Sequence, residues 1–254
     1  KIKLSKEITK ESINKDIRIL KEKYGFKIFS EELISLLSKE LIEKTISSLE
    51  TIEEKYSKNK IDIRGVIFQN LLPEELRKVT GSYHTRSDAA EILASISIND
   101  SKSTVMDLSC GSGKLLVASN HRINELHKNN ALNQIFGVEL MQIPSCLAVI
   151  NLFLENPDVK SSTNIANSDS LHLEPDSQIS MLKSNESTSK ISKVDTIIMN
   201  PPFTRQESLE KNQKDALETR FSKYDIVDKR IGLHGYFILL GNEFLKNNGT
   251  MALV

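Results

Sequence analysis

The stretch Thr104-Val105-Met106-Asp107-Leu108-Ser109-Cys110-Gly111-Ser112-Gly113-Lys114 decides the fold. Thr104 to Asp107 is a short apolar and β-branched run closed by an acid, and it reads as a strand. Lys114 to Lys128 is rich in helix formers and reads as a helix. Between them, Gly111 and Gly113 allow a tight turn and let a ligand come close to the backbone. The carboxyl end of such a strand is where doubly wound folds bind ligands. Leu116 stands where a third glycine would complete G-x-G-x-x-G, and there is no Walker lysine followed by Ser or Thr. The turn is therefore neither a full dinucleotide fingerprint nor a phosphate loop.

Downstream, the alternation continues. Ile135 to Glu139, Thr163 to Ala166, Val194 to Met199 and Thr250 to Val254 read as strands. Gln142 to Glu155 and Gly235 to Asn247 read as helices. Alternating β and α predicts a parallel, doubly wound sheet with helices on both faces. Two segments interrupt the pattern. Glu174 to Lys193, rich in Ser, Lys and Asn, is expected to be a surface loop. Thr204 to Arg230, long and charged, is expected to be a lid or substrate-contacting loop. The sequence stops on Ala252-Leu253-Val254 inside an expected buried strand, so more chain is expected to follow.

Three positions at strand ends carry chemistry. Glu139 closes the second strand, where an acid commonly binds ribose hydroxyls; a solvated strand-end carboxylate is the plainer reading. Asp169, in Asn167-Ser168-Asp169-Ser170, either accepts from an adenine amino group or forms a turn. Asn200-Pro201-Pro202-Phe203 follows the strongest strand. Its two prolines end the strand and stiffen the backbone. Neither has an N–H, so the turn offers carbonyl oxygens and the Asn200 amide oxygen without competing donors. That suits an exocyclic NH2 group, and Phe203 can stack on a planar ring beside it.

The first sixty residues contain one glycine, Gly25, and are rich in Glu, Lys, Leu and Ile. Thr9 or Ser12 is placed to cap one helix. Ser30-Glu31-Glu32 opens another running toward Tyr56, with Leu33, Leu36, Leu37, Leu41, Ile42, Ile46 and Leu49 at helical spacing. Ser57 to Lys60 reads as a polar linker. A packing subdomain, a partner-binding arm and a DNA-facing cover all fit this helix pair. The chain has 254 residues and a formal net charge of zero, so no global basic footprint for nucleic acid exists. No apolar run reaches the roughly 20 residues of a membrane span. Cys110 and Cys146 are the only cysteines. They provide neither a disulfide framework nor a metal cluster, and point to a reducing, cytoplasmic setting.

These motifs resemble those of amino-methyltransferases. Asp107 to Gly113 is similar to their D-P-A-C-G-S-G cofactor loop, and Asn200 to Phe203 to their N-P-P-[YF] catalytic loop. Upstream, Gly81-Ser82-Tyr83-His84-Thr85 resembles a G-x-[YF]-[YF]-T-P segment. Gly65 to Leu72 resembles its G-x-x-[YF]-E-x-L-L lead-in. This order is that of γ-class N6-adenine DNA methyltransferases of restriction-modification systems, which include type I modification subunits and fused restriction-methylation enzymes. Leu108 and Ser109 replace the usual Pro and Ala, His84 an aromatic ring, Arg86 a proline, and Gln69 a glutamate.

The resemblance covers roughly residues 60 to 254 and implies a Rossmann-like doubly wound methyltransferase sheet. Residues 61–254 would be the catalytic domain, incomplete at its C-terminus, and 1–60 a helical region. It implies S-adenosylmethionine as cofactor, with no metal. Asp107, Ser109, Cys110, Gly111 and Gly113 would hold its methionine part, and Tyr83 and Thr85 would cover that end. Glu139 would bind the ribose and Asp169 the adenine. Asn200, Pro201, Pro202 and Phe203 would act on an adenine flipped out of double-stranded DNA. No nucleophilic cysteine is required, so Cys110 reads as a small packing residue. Implied partners are specificity and nuclease subunits, or a fused C-terminal recognition domain, and no membrane. Two other readings use the same residues. N-P-P-[YF] also serves methyltransferases acting on RNA or protein glutamine, although the Tyr-Thr segment argues against them. His84 and Arg86 leave room for a DNA- or partner-binding scaffold with a degenerate site.

Overall fold

The computed structural model of the chain describes residues 9–24, 35–56, 85–127, 131–155, 163–182, 188–204, 209–225 and 231–254. Among the described residues the helices α1 (Lys10–Tyr24) and α2 (Lys39–Tyr56) come first. They are followed by α3 (Ser87–Ser97), β1 (Val105–Asp107), α4 (Lys114–Leu126), β2 (Ile135–Glu139), α5 (Gln142–Glu155) and β3 (Asn164–Asn167). Next come β4 (Gln178–Ser180), β5 (Thr188–Lys190), β6 (Val194–Met199), α6 (Lys211–Arg220), α7 (Leu233–Phe244) and β7 (Leu245–Leu253). Among the described residues no helix is long and apolar enough to cross a membrane.

The expected doubly wound sheet is the observed one. Five strands pair in the order β3-β2-β1-β6-β7, and every pairing is parallel. The pleat sends neighbouring residues to opposite faces. Met106 and Ile197 join a core with α6, α7 and the β4–β5 ribbon. Val105 and Ile198 join another with α3, α4 and α5. Both faces are covered, which is why the strands read as apolar runs rather than alternating ones.

The amino ends of the central strands are clasped by Asp195. Its carboxylate accepts from Thr104 N–H at 2.9 Å, Thr104 Oγ1 at 2.7 Å and Lys246 Nζ at 2.9 Å. Val194 pairs with Leu245 and Thr196 with Thr250, so Lys246 to Gly249 bulge out opposite Asp195 alone. Asn248 turns the bulge with φ 64°. The last helix therefore ends at Phe244 rather than Asn247, and Leu245 already belongs to the sheet edge.

Two sequence expectations need correction. Glu174 to Lys193 is not simply a surface loop. It contains the antiparallel pair β4–β5, which buries Ile179, Met181 and Ile191 against the sheet. Sparse apolar residues within a Ser- and Lys-rich stretch gave too weak a period to reveal it. Thr204 to Arg230 is not wholly loop either, for it contains α6, whose Leu217 is buried beside Phe221. Glu243 of α7 ties this helix down, accepting from Arg220 at 3.3 Å, Lys223 at 2.7 Å and Tyr224 Oη at 3.4 Å. In the N-terminal region Thr9 and Ser12 cap α1 reciprocally, at 3.0 Å and 2.8 Å. Residues 35 and 36 are helical, the run breaks at Leu37 and Ser38, and α2 starts at Lys39, where Ser38 Oγ accepts from Leu41 N–H at 3.1 Å. The Ser30 opening lies outside the described residues. Of the apolar stripe, Ile42 is buried while Leu36, Leu41 and Leu49 are exposed.

Candidate active site

The sheet order brings the chemistry-bearing residues into one row. Asp107 ends β1, Glu139 ends β2, Asp169 follows β3 by two residues and Asn200 follows β6 directly. Since the strands run β3-β2-β1-β6, these four residues line the carboxyl edge across roughly 14 Å, three inter-strand steps. That edge is where open α/β sheets bind ligands.

The glycine turn is built as its sequence requires. Gly111 has φ 52° and Gly113 φ 82°, both in the left-handed region that glycine enters without strain. A Cβ on Gly113 would sit 3.0 Å from Ala148, so the turn packs directly on α5. A Cβ on Gly111 would meet nothing within 4 Å, so this side of the turn opens as a cradle. Glu139 closes the turn from the next strand. Its carboxylate accepts from Gly111 N–H at 2.9 Å and from Met141 N–H at 2.8 Å. Burial raises the Glu139 carboxyl above its usual range, and these amides oppose the shift.

Asp107 is buried, and its Oδ1 accepts from Ser109 N–H at 2.9 Å. Burial pushes its carboxyl up to about 8, against that hydrogen bond and with the neighbouring Glu139 charge adding to the rise. Cys110 is buried and donates its N–H to the Val138 carbonyl at 3.0 Å. Burial drives its thiol well above the usual range, so it stays protonated and packs rather than attacks. Asp169 adopts the turn geometry: its Oδ1 accepts from Leu171 N–H at 3.0 Å, while its side chain keeps 41% exposure.

The Asn200 to Phe203 tetrapeptide sits against the glycine turn because β1 and β6 are neighbours. Ser109 Oγ donates to the Asn200 main-chain oxygen at 3.2 Å. Asn200 Nδ2 donates to Thr85 Oγ1 at 3.1 Å. Pro201 is buried, whereas Phe203 is 47% exposed with its ring 6.1 Å from that of His234 and 28° from parallel. Leu233 N–H donates to the Thr204 carbonyl at 3.1 Å, fixing the start of α7 on the exit of the tetrapeptide.

Of the upstream segment, Tyr83, His84 and Gly65 to Leu72 lie outside the described residues. Thr85 is buried, 9% exposed. Arg86 has φ −65° and ψ 144°, a backbone that proline also adopts, so the replacement of the usual proline leaves the chain path intact. Three supporting residues escaped the sequence reading. Asn151 of α5 donates to the Ser112 carbonyl at 2.9 Å. Asn167 donates to the Glu139 and Leu140 carbonyls at 2.9 and 2.8 Å. Ser170, itself buried, donates to the Leu108 carbonyl. Asn151 left a signal, the one polar residue in the apolar run Leu147 to Leu154. The other two left none.

Among the described residues no group of three or more His, Cys, Asp or Glu side chains is placed to hold a metal ion. The site can present acceptors and a ring to a planar amine beside an open, glycine-lined cradle.

The chain is similar to known proteins in sequence and in fold. The type I restriction enzyme MpnII methylase subunit of Mycoplasma pneumoniae is 27% identical over 222 residues, 85% of this chain and 39% of the relative. The type II methyltransferase M.BanIII of Aneurinibacillus aneurinilyticus is 26% identical over 189 residues, 70% of this chain and 30% of the relative. The chain thus spans well under half the length of these curated relatives. Among solved structures, the type IIG restriction endonuclease BpuSI superposes with TM-score 0.63 and 17% identity, over 96% of this chain and 28% of that one. The type I methyltransferase subunit of Streptococcus thermophilus gives TM-score 0.56 and 18% identity, over 97% of this chain and 52% of that one. Structural likeness at these identities establishes the fold. Because the N-6 DNA Methylase sequence pattern runs through residues 59–254, taking in the whole five-stranded sheet and every strand-end motif, the chain belongs to the N-6 DNA Methylase family.

Proposed function

We propose that this chain transfers a methyl group from S-adenosylmethionine to the N6 amino group of adenine in DNA, as the modification core of a restriction-modification system. The observation that carries this reading is the contact between Ser109 and Asn200, which sets the acceptor-rich tetrapeptide beside the glycine cradle. The start of the family match at residue 59 supports dividing the chain into a helical region, 1–60, and a catalytic domain, 61–254.

The residues present fit the cofactor. The open side of Gly111 admits a ligand against the backbone, and the Glu139 carboxylate has acceptor capacity beyond its two amide bonds. Asp107, Ser109, Cys110, Gly111 and Gly113, with Tyr83 and Thr85, would surround the methionine part. Glu139 would hold the ribose and Asp169 the adenine. When bound, the cofactor supplies an electrophilic methyl group on a sulfonium.

The chain's own work is positioning. A target adenine must leave the duplex stack to reach a site at the sheet edge. Phe203, half exposed, offers a face for the extruded base. The Asn200 amide oxygen and the Pro201 carbonyl accept the two amino hydrogens and draw the nitrogen lone pair out of conjugation with the ring. Preorganised acceptors at fixed distance supply most of the acceleration. Double-stranded DNA is the proposed partner, with specificity and nuclease subunits or a fused recognition domain completing the system in the cytoplasm.

The test is Asn200→Ala in a methyl-transfer assay on adenine-containing duplex DNA, with RNA and protein glutamine acceptors in parallel. The variant is expected to lose transfer to DNA while S-adenosylhomocysteine still binds by calorimetry. Wild-type rates in the variant, or transfer confined to RNA or protein, would defeat the reading.

A further inference from the structure

Asn200 is tied at its side-chain nitrogen and at its main-chain oxygen. Its side-chain nitrogen reaches Thr85 Oγ1 at 3.1 Å, across 115 residues of sequence. Its main-chain oxygen receives the Ser109 hydroxyl at 3.2 Å. Both partners are themselves anchored. Thr85 is buried at the entry to α3, and Ser109 has its N–H on the buried Asp107.

The last torsion of an asparagine side chain is broad and roughly two-fold, so nothing intrinsic separates an amide from its flipped form. The two forms exchange an acceptor for a donor. A residue that must accept from an amino group works in one of them only, because the flipped amide sets NH2 against NH2. In the structure the nitrogen end lies on Thr85 and the oxygen end is turned the other way, and this hydrogen bond holds the side chain in place. The main chain has a parallel problem. Pro201 locks its own φ and keeps the ψ of Asn200 in the extended region, and within that range the ψ is set by what holds the intervening carbonyl. Ser109 is that holder, and it stands where the resembled cofactor loop has alanine, so this second tie distinguishes the present chain.

We propose that Thr85 and Ser109 are positioning residues for Asn200. Thr85 holds the Asn200 side chain in the orientation it presents to the target amine, and Ser109 holds the plane of the Asn200–Pro201 peptide. This rests on the reading of Asn200 as acceptor of an amino group. The role differs from covering the cofactor: the Thr85 oxygen acts on the acceptor side of the reaction through Asn200.

The experiment uses the full-length protein and the variants Thr85→Val, Thr85→Ser and Ser109→Ala, with two readouts. The first is the single-turnover rate on adenine-containing DNA at saturating S-adenosylmethionine. Thr85→Val is expected to slow it by about tenfold to a hundredfold, the scale of a misplaced catalytic group. Thr85→Ser should restore it to within about threefold, and Ser109→Ala should slow it about fivefold, the worth of one neutral hydrogen bond. The second is the side-chain NH2 signal of Asn200 in nitrogen-15 spectra, assigned by its loss in Asn200→Asp. It should shift in Thr85→Val and return in Thr85→Ser, without cofactor or DNA.

A Thr85→Val defect that disappears as cofactor is raised would overturn the proposal, because Thr85 would then act through cofactor binding alone. An unmoved Asn200 NH2 signal would overturn it as well. If the wild type methylates no adenine while the NH2 signal behaves as expected, the functional reading falls and the Thr85 tie to Asn200 stands.

Discussion

The Glu139 carboxylate accepts the main-chain N–H of Gly111 at 2.9 Å, so the acid at the end of β2 closes the glycine turn at the end of β1. Its other oxygen holds the Met141 N–H at 2.8 Å. Glu139→Gln replaces one of these acceptor oxygens with an NH2 group that faces a donor. We expect a loss of about 1–3 kcal/mol in stability, the cost of one partly buried amide left unpaired. S-adenosylhomocysteine should bind at least about tenfold more weakly, equivalent to roughly 1.4 kcal/mol. Urea melts and calorimetry on the same preparation check both, and a variant matching wild type in each measurement contradicts this account of the turn.

Asp107 carries a pH signature. Burial raises its carboxyl from 3.8 to about 8, so the folded chain binds this proton more tightly than the unfolded one. The associated stability is fully present below the unfolded value and is lost as pH rises through the folded one. Between pH 4 and 8 the wild type should therefore lose stability relative to Asp107→Asn, which keeps an acceptor for Ser109 N–H and cannot ionise. Thermal melts across this range should show the difference moving steadily toward the variant. A constant difference would mean that Asp107 does not titrate there.

His121 joins the three helices α3, α4 and α5 that cover one face of the sheet. Its ring of α4 meets Glu155 of α5 at 2.7 Å and Glu91 of α3 at 2.8 Å. The hydrogen bond to Glu155, with help from Glu91 and against burial, raises its pKa from 6.5 to about 9. The contribution is complete below pH 6.5 and disappears as pH rises through 9. His121→Gln should flatten the decline in melting temperature over that window while leaving the Asp107 effect in place. Parallel melting curves for variant and wild type at every pH would refute the linkage.

The sequence alone carried the local structure because local structure has local causes. Ile135 to Glu139, Gln142 to Glu155 and Val194 to Met199 occupy the observed elements to the residue, since β-branched runs and helix formers bounded by turn residues leave little choice. Gly111 and Gly113 take the left-handed φ that their spacing implied. The strand-end positions of Asp107, Glu139 and Asn200 were equally legible.

What no local pattern encodes is which strand lies beside which. Pairing β1 with β6, whose facing residues stand about ninety positions apart, sets Ser109 against Asn200, and only that pairing does so. The same holds for Thr85, whose hydroxyl reaches Asn200 because α3 covers the face that β1 and β6 share. It holds also for Asp107, whose titration follows from how deeply the finished sheet buries it. The β4–β5 ribbon and α6 went unread because a few apolar residues in polar surroundings show no period, and their burial exists only once the sheet offers a face to cover. The residue types that name the chemistry are thus properties of the chain. Their assembly into one edge, and the proton affinities found there, are properties of the packed sheet, because both depend on contacts between segments far apart in sequence.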